Sequence, residues 1–393
     1  MVFLHRHKRP LRPWERRAFH WTITVVICSL LSKTQAFSLD TVHQVAGKRN
    51  QPAQTLCWST VASTAVVDQQ SLTNASGAVG LYVHIPYCRR RCRYCDFAIV
   101  PIGPSASTET CDHELREDKA TTGFLKMDSI YRATILKEIG IITKTVSGES
   151  MIPLRSIYFG GGTPSLAPIE TLDAILSAVR DGPFCLDPNA EITIEMDPGT
   201  FSLSKLKTIK KLGFNRVSLG VQSFDDTILE SIGRCHRRED IFESISLLHQ
   251  VYGDNVNYSI DLISGLPGVS LAKWVETLEM ATSLSPSHLS IYDLQVESGT
   301  VFGKWYNGQD DSQSRGRTQG SVPVDVPPLP SMEECAFCYK YASRYLRARG
   351  YEHYEISSFA YKGNESSSSS SSVNRSQHNQ IYWEYNSQWF GKK

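Results

Sequence analysis

Short apolar segments alternate with amphipathic segments from about Gly77 onward, and this rhythm constrains the fold more than any other feature of the 393 residues. Apolar stretches of this length, most of them followed by residues spaced as on one helical face, are typical of parallel strands joined by right-handed crossovers. The six predicted strands are residues 80–86, 155–159, 191–196, 215–221, 256–263 and 287–295. The pattern predicts an α/β fold, an incomplete (β/α)6, TIM-like barrel of parallel strands with its site at the carboxyl ends of the strands.

Charge and cysteine content exclude several classes of protein. Lysine and arginine number 41 against 40 aspartates and glutamates, so no bulk field attracts nucleic acid or a membrane surface. Ten cysteines are too sparse and unevenly spaced for a disulfide scaffold, and the tight group at residues 88–95 indicates metal thiolates. We therefore expect a protein of a reducing compartment that binds no nucleic acid.

The N-terminus has the composition of a targeting sequence, with basic residues followed by an apolar run of about eleven residues. A spanning helix needs roughly 20 residues, so no mature membrane span is expected. The junction Ala36-Phe37 resembles the bipartite plastid presequences of algae with secondary plastids. Residues 1–36 are therefore interpreted as a signal-type presequence and residues 37–77 as a disordered transit segment directed to the plastid. A mitochondrial or secretory leader is the alternative.

Polar stretches interrupt the strand and helix rhythm and divide the folded part. Residues 101–124, the Gly, Ser and Pro rich 308–332, and the serine tract 366–372 are predicted to be solvated insertions. The barrel then occupies 78–307, a linker insertion 308–332, and a C-terminal segment 333–393. Three apolar helical faces are expected to cover the sheet: Leu172, Ile175, Leu176 and Val179; Leu206, Ile209 and Leu212; and Ile241, Ile245 and Leu248.

A second pair of cysteines, Cys335 and Cys338, lies in a predicted helix that ends at Gly350. A C-x-x-C pair can act in redox chemistry or bind a metal. On an amphipathic helix with Phe337 and Tyr341 nearby, packing is the simpler explanation.

The chemistry of the chain is concentrated in the motif Cys88-x-x-x-Cys92-x-x-Cys95, which follows the first predicted strand. A four-iron cluster normally has four cysteine ligands, so three thiolates leave one iron with an open position. A structural zinc site would need a fourth Cys or His, which Asp96 and Phe97 do not supply. The arginines between the ligands are expected to offset the negative charge of the cluster and to lower the thiol pKa values.

Two further strand ends carry residues suited to a small ligand. Phe159–Ser165 contains Gly161, Gly162 and Thr163, and glycines allow backbone groups to approach a ligand closely. Glu195 and Asp197 occupy alternate positions at the next strand end and therefore face the same side. Their carboxylates can accept hydrogen bonds from ribose hydroxyls or from an ammonium group.

The three-cysteine motif resembles the signature of the radical S-adenosylmethionine (SAM) superfamily. In that superfamily the amino and carboxylate groups of SAM chelate the open iron of a 4Fe-4S cluster, and one-electron cleavage of SAM gives a deoxyadenosyl radical. The glycine-rich segment resembles the loop that binds the SAM amino group. Matching motifs continue in order, so the resemblance covers roughly residues 80 to 391.

Later motifs are similar to those of the coproporphyrinogen oxidase-like branch of this superfamily. The resemblance implies that Gln222 and Asp261 contact the adenosyl ribose and that Tyr82 and Tyr94 flank the cofactor. It also implies that Arg234 pairs with the SAM carboxylate, a role that suits the forked geometry of guanidinium. A structural salt bridge or cap is the alternative for each of these residues.

Two families of the branch share these motifs, namely the oxygen-independent coproporphyrinogen III oxidases and the HemW-type heme chaperones. The oxidases carry a further cysteine two residues after the third ligand, where this chain has Phe97. The segment His378-Asn-Gln-Ile-Tyr-Trp383 resembles the H-N-x-x-Y-W motif of the HemW group, as Tyr351–Phe359 resembles the segment before it. Histidine is a common axial ligand of heme iron, so His378 is predicted to bind heme. The alternative is that His378 is a core residue.

The resemblance therefore predicts a heme chaperone with a 4Fe-4S cluster, SAM and heme, and with heme-accepting proteins and an electron donor such as ferredoxin or flavodoxin as partners. A coproporphyrinogen III dehydrogenase, or another radical SAM enzyme of tetrapyrrole biosynthesis, is the second hypothesis. An inactive or regulatory binder, which would not incorporate a cluster, is the third. Both families continue past the tryptophan into a glycine-rich turn and a helical domain. We expect that domain to be missing here and heme or substrate retention to be weakened.

Overall fold

The computed structural model describes residues 25–28, 79–103, 119–145, 151–306, 326–362 and 374–383. Most of the predicted leader, the predicted transit segment and the serine tract lie outside the described residues. The strands are β1 Val25–Cys28, β2 Val79–Ile85, β3 Tyr87–Cys88, β4 Val100–Pro101, β5 Ile152–Gly161, β6 Phe184–Met196, β7 Arg216–Gln222, β8 Tyr258–Ser264, β9 His288–Asp293, β10 Tyr351–His353 and β11 Ser358–Tyr361. The helices are α1 Lys119–Thr145, α2 Ile169–Arg180, α3 Leu203–Lys211, α4 Asp226–Ser231, α5 Arg238–Tyr252, α6 Leu271–Ser283, α7 Val301–Tyr306, α8 Met332–Arg347 and α9 Gln377–Trp383.

All six predicted strands are present and form the centre of a nine-stranded sheet in the order β1-β2-β5-β6-β7-β8-β9-β11-β10. The pairs from β2 through β9 are all parallel. β1 pairs antiparallel with β2 at one end, and β11 and β10 continue antiparallel from β9 at the other. Because each new parallel strand is added beside the previous one, the right-handed crossovers place the helices on one face. This confirms the predicted fold of an incomplete parallel barrel.

The helix-facing side of the sheet forms the main apolar core. Leu81, Val83 and Ile85 of β2 are fully buried there. The predicted helical faces are also buried, except that Leu212 lies one residue beyond α3 and is only half-buried. Residues between these positions point to the opposite, inner face of the sheet. That inner face is rich in polar side chains, among them Glu191, Thr193, Glu195, Ser218, Ser259 and Asp261.

Local chemistry explains where several helices begin. The side chains of Asp225, Ser270 and Ser331 accept hydrogen bonds from backbone N–H groups in the first turns of α4, α6 and α8. Such caps satisfy donors that have no partner within the helix. In α8, Glu334 also bonds back to the Ser331 N–H and completes a capping box.

The first predicted insertion, residues 101–124, extends too far, because α1 already begins at Lys119 and Phe124 is only 3% exposed. The predicted linker 308–332 stays a prediction. Within it, the Pro327 carbonyl accepts a hydrogen bond from the Tyr306 hydroxyl at 2.8 Å. In the described part of the chain, no helix is both long and apolar enough to cross a membrane.

The C-x-x-C pair lies in α8, as predicted, and both cysteines are partly exposed. Cys338 packs against the main core, and its carbonyl accepts a hydrogen bond from the Trp274 indole at 3.2 Å. Burial raises the pKa of both thiols. These contacts favour packing, and a redox or metal role stays a prediction.

Candidate cluster and cofactor site

The three cysteines of the motif lie in a loop at the carboxyl end of β2. The glycine-rich segment after β5 holds the start of this loop through backbone hydrogen bonds. The Gly162 N–H donates to the Ile85 carbonyl at 2.8 Å, and the Thr163 N–H donates to the Tyr87 carbonyl at 2.6 Å. The Thr163 hydroxyl also lies 3.5 Å from the Cys88 sulfur. Two motifs that are far apart in sequence therefore form one edge of the site.

The arginines between the cysteines fasten the loop to backbone carbonyls. Arg90 donates to the carbonyls of Gly233 and Arg234, and Arg93 donates to that of Ser231 at 2.7 Å. Arg89 donates to the Gly199 carbonyl at 2.7 Å, and Arg91 donates to carbonyls within the loop. The cluster loop is thereby tied to the segment between α4 and α5. The sequence prediction assigned these side chains to charge compensation and missed this role.

Burial dominates the acidity of the three thiols. It raises the pKa of Cys88 to about 12 and also raises the pKa values of Cys92 and Cys95. Arg234 opposes this at Cys92 and Arg91 at Cys95, but burial prevails. The expected lowering of a thiol pKa by an arginine of the motif is confirmed in direction for Arg91 at Cys95, but burial still raises the net pKa of all three thiols. Proton release must accompany binding of a metal cluster to these thiols.

The glycines are required because the two loops pack closely. Gly161 has a φ of +109°, and a Cβ there would overlap the His84 ring. A Cβ on Gly162 would lie 2.6 Å from the Tyr87 carbonyl oxygen. Only glycine tolerates both the backbone conformation and the contact. The predicted close approach to a ligand is thus accompanied by a close approach to the cysteine loop.

The buried Arg234 and the partly exposed Asp197 form an ion pair beside Cys92. One terminal nitrogen of Arg234 donates to the Asp197 carboxylate and to the Gly220 carbonyl, and the other lies 3.8 Å from the Cys92 sulfur. Cys92, Asp197, Gly233 and Arg234 line one pocket. The Arg234 Nε is buried and has no acceptor among the described residues. A buried, unpartnered cationic donor beside a thiol fits an anionic ligand group, such as a carboxylate or a cluster sulfide.

Glu195 lies deeper in the inner face than Asp197. Its carboxylate accepts hydrogen bonds from the Tyr158 hydroxyl at 2.8 Å and from the Gly161 N–H at 3.0 Å. Burial raises the pKa of Glu195 to about 7, against the effect of these two donors. The side chain therefore changes charge near neutral pH and is tied directly to the glycine-rich loop.

Gln222 is the last residue of β7, and Asp261 lies in the middle of β8. Gln222 has a φ of +67° at a register irregularity between β7 and β8. This left-handed conformation costs a non-glycine residue roughly 1–3 kcal/mol and is found preferentially at functional sites. Asp261 accepts hydrogen bonds from Ser218 at 2.6 Å and Ser259 at 3.0 Å. Burial raises the pKa of Asp261, whereas these serines lower it.

The two predicted flanking tyrosines have different surroundings. Tyr82 lies on the inner face and stacks on Tyr158, with ring centroids 6.0 Å apart. Tyr94 packs against a second apolar cluster, formed by Ile228, Ile232, Ile263, Leu266 and Phe302. Phe97, at the position of the extra oxidase cysteine, is 65% exposed.

His378 lies at the other end of the inner face, near the amino ends of the strands. Its Nδ1 is 2.9 Å from the Ser156 hydroxyl, its ring stacks on Tyr158 at 5.0 Å, and Gly80 leaves room for it. The structure therefore does not bring His378 together with the cysteines. Burial lowers the pKa of His378 to about 4, so the imidazole is neutral at physiological pH.

Sequence reasoning missed several residues that shape the interior, namely Tyr158, Glu191, His288 and Tyr354. Glu191 accepts hydrogen bonds from the first backbone N–H groups of α9 and faces Arg216, and both side chains of this pair are less than 5% exposed. Alternation along β6 places Glu191 on the same face as Glu195, which is a signal that could have been used. His288 and Tyr354 had no comparable local signal.

In the described residues, no three His, Cys, Asp or Glu side chains are close enough to hold a single metal ion.

The profile of the radical SAM superfamily matches residues 82–281. The solved structure of coproporphyrinogen III oxidase (HemN) from Escherichia coli aligns with a TM-score of 0.54 at 23% identity, covering 72% of this chain and 56% of that one. This similarity supports the fold alone.

Similar curated proteins are heme chaperones named HemW. The Synechocystis protein is 38% identical over 307 residues, covering 77% of this chain and 61% of that protein. The Bacillus subtilis protein is 33% identical, covering 79% and 68%. A mitochondrial radical S-adenosyl methionine domain-containing protein 1 of Bos taurus is 31% identical, covering 80% and 59%. This chain thus spans about three fifths of the length of the Synechocystis relative.

This chain belongs to the radical SAM superfamily and, within it, to the HemW family. Membership of the superfamily implies a 4Fe-4S cluster and SAM. The buried Arg234 donor, the three thiols and the close-packed glycines fit both the cluster and SAM.

Proposed function

We propose that this protein is a heme chaperone that delivers heme to acceptor proteins. In this proposal Cys88, Cys92 and Cys95 bind a 4Fe-4S cluster, SAM binds at the open iron, and heme binds at a separate site that includes His378. The position of His378 carries the proposal. β2 runs from Gly80, beside His378, to Ile85, just before the cluster loop. At about 3.3 Å per residue, the two sites lie roughly 17 Å apart along one barrel interior.

Each proposed SAM contact follows from the chemistry of its side chain. The carboxylates of Glu195 and Asp261 would accept hydrogen bonds from ribose hydroxyls or from the SAM ammonium, with Gln222 beside Asp261. The free Nε of Arg234 would donate to the SAM carboxylate. Gly161, Gly162 and Thr163 would border the amino group, and Tyr82 and Tyr94 would flank the cofactor. A bound cluster would supply the open iron and the electron for SAM chemistry.

His378 is suited to an iron ligand because its imidazole is neutral and therefore has a free lone pair. The Ser156 hydroxyl at Nδ1 would orient the ring and leave Nε2 for the iron, which is the usual division of roles in metal-bound histidine. Tyr158 lies against one face of the ring.

The second hypothesis, oxidation of coproporphyrinogen, has less support. The likeness to the oxidase HemN concerns the fold, whereas several curated relatives are named as heme chaperones. Phe97 also replaces the cysteine expected in the oxidases. Delivery to a plastid and an electron donor such as ferredoxin or flavodoxin stay part of the proposal. The mitochondrial relatives of animals support a mitochondrial destination as the alternative.

Anaerobic reconstitution of the chain with iron and sulfide, followed by heme titration monitored by absorbance, tests the proposal. We expect stoichiometric heme binding that His378→Ala abolishes and no decarboxylation of coproporphyrinogen. His353→Ala is the matched control, because His353 lies in the same C-terminal region and stacks on Phe359. Product formation without stable heme binding would overturn the chaperone and restore the oxidase.

A further inference from the structure

A continuous chain of hydrogen bonds links the proposed SAM site to the helix that carries His378. The Ser259 hydroxyl donates to Asp261 at 3.0 Å and lies 2.9 Å from Nδ1 of His288. Nε2 of His288 lies 2.9 Å from the Tyr354 hydroxyl, which accepts a hydrogen bond from the Ser376 N–H at 3.2 Å. Ser376 immediately precedes α9. The chain therefore runs from the middle of β8 to the residue that precedes α9.

One arrangement of protons satisfies every bond in this chain. In it, the single hydroxyl proton of Ser259 lies toward Asp261 at 3.0 Å, although the Ser290 hydroxyl is also only 3.2 Å away. The Ser259 oxygen then accepts from His288, which requires the proton on Nδ1. Nε2 then accepts from Tyr354, whose oxygen is left to accept from the Ser376 N–H. A neutral imidazole has one donor and one acceptor nitrogen, so this arrangement uses both.

The middle of the chain and Ser376 are shielded from water, whereas Asp261 and Tyr354 are half-buried. His288, Ser259 and Ser376 are at most 3% exposed. Burial, aided by the nearby charge of Arg216, lowers the pKa of His288 well below its usual range, in agreement with a neutral ring. Breaking one bond in such a site leaves a polar group without a partner, at a cost of about 1–3 kcal/mol.

The last bond of this hydrogen-bond chain, from the Ser376 N–H to Tyr354, depends on the docked position of α9. Glu191 accepts hydrogen bonds from the Ser376 hydroxyl and from the N–H groups of Gln377 and His378, at 3.0 to 3.2 Å. The Ser376 N–H reaches Tyr354 only while α9 holds this position. At the near end, Ser259 holds the Asp261 carboxylate in its orientation.

We propose that Tyr354, His288 and Ser259 are positioning residues that form a relay from α9 to Asp261, so that SAM affinity depends on the docking of α9. This inference rests on the proposed contact of Asp261 with SAM. It gives the segment that carries His378 an influence on the proposed SAM contact at Asp261, by equilibrium coupling.

Tyr354→Phe is the decisive variant. It removes the hydroxyl but keeps the ring contacts with His288 and Arg375. Tyr351→Phe is the matched control, because it removes a buried hydroxyl bonded to the Pro286 carbonyl outside the relay. SAM dissociation constants are measured by equilibrium dialysis on the cluster-loaded chain without reductant. We expect about a fivefold to tenfold weaker affinity for Tyr354→Phe and less than about a twofold change for the control. Equal affinity in both variants would overturn the relay.

Two further measurements separate a relay from a general loss of structure. In the cluster-free wild type, ¹⁵N shifts of His288 should report a proton on Nδ1, and a proton on Nε2 would contradict the relay. Glu191→Gln, which weakens the docking of α9, should lower SAM affinity in the wild type but not in the Tyr354→Phe background. Additive losses would overturn the coupling.

None of these measurements uses heme. A wild type that binds no heme would sink the proposed chaperone function and leave the relay standing. If the wild type binds heme but Tyr354→Phe leaves SAM affinity unchanged, the relay is overturned and the proposed chaperone function stands.

Discussion

The two ends of the barrel interior are built in different ways. At the carboxyl ends of the strands, the cysteine loop is held by backbone groups, as in the bonds from Gly162 and Thr163 and the arginine contacts to carbonyls. At the amino ends, α9 is held by side chains of strands that are distant in sequence, with Glu191 at its first turn. The first end is suited to an exchangeable cofactor, and the second to a fixed orientation of His378.

The two ends also differ in how exposed their ion pairs are to solvent. The Arg234–Asp197 pair has side-chain exposures of 7% and 29%, whereas the Arg216–Glu191 pair has 2% and 4%. A ligand can therefore reach the first pair, while the second is closed. Substitutions in the Arg234–Asp197 pair should mainly change binding, and removal of the counter-charge in the Arg216–Glu191 pair should mainly change stability.

The largest effect is expected for the cluster ligands. Cys92→Ser should reduce bound iron to less than about a tenth of the wild-type value, because two remaining thiolates no longer hold a four-iron cluster. Cys235→Ser is the control, since Cys235 is exposed and lines the same pocket as Cys92 but lies outside the motif. Iron and sulfide analysis after anaerobic reconstitution checks both variants. Equal iron loss in the control would mean that the motif alone does not define the cluster site.

At the amino end, Glu191→Ala should lower the free energy of unfolding by about 3–5 kcal/mol, because Arg216 would stay buried without its counter-charge. Glu352→Ala is the control at the same end. Glu352 pairs with the more exposed Arg375 and Lys362, so its loss should cost about 1 kcal/mol or less. Urea denaturation of the cluster-free proteins gives both values. Similar losses would show that the closed pair contributes no more than the open one.

The pH dependence of SAM binding should follow Glu195. Burial raises its pKa to about 7, so below that pH the group is protonated and offers no carboxylate to SAM. Affinity should then fall about tenfold per pH unit below 7 and level off above it. Measurement of the SAM dissociation constant by equilibrium dialysis between about pH 5.5 and 8.5 tests this prediction. Glu195→Gln should bind weakly with no such slope, and an unchanged slope would assign the titration to another group.

The smallest effect is expected at Phe97, which is 65% exposed. Phe97→Ala should change the free energy of unfolding by less than about 0.5 kcal/mol, as is usual for exposed positions. Cluster content and heme binding should also stay at wild-type values. A clear loss of heme binding in this variant would move the heme contact to the cluster end and remove the distinction between the two ends.

Local patterns in the sequence predicted the parallel strands, the cysteine loop and the glycine-rich segment. These features depend on residues that are neighbours along the chain, so period and spacing report them directly. The contacts with His84 and Tyr87 that require glycine at Gly161 and Gly162 became visible only in the folded chain. The alternation in β6 likewise predicted that Glu195 and Asp197 share a face. The cofactor contacts inferred from family resemblance stay predictions, although the structure gathers Cys92, Asp197 and Arg234 around one pocket.

Tertiary structure decided the rest, because it depends on partners that are distant along the chain. His378 meets Ser156 across 222 residues, and no periodicity relates the two. The arginines of the cysteine loop looked like charge compensation until their carbonyl partners were visible, and burial rather than charge set the thiol pKa values. The sequence by itself determined the family, the sheet and the residues able to bind a cluster. Only the folded chain decided which side chains share the interior, because burial and hydrogen bonding between distant strands are properties of packing.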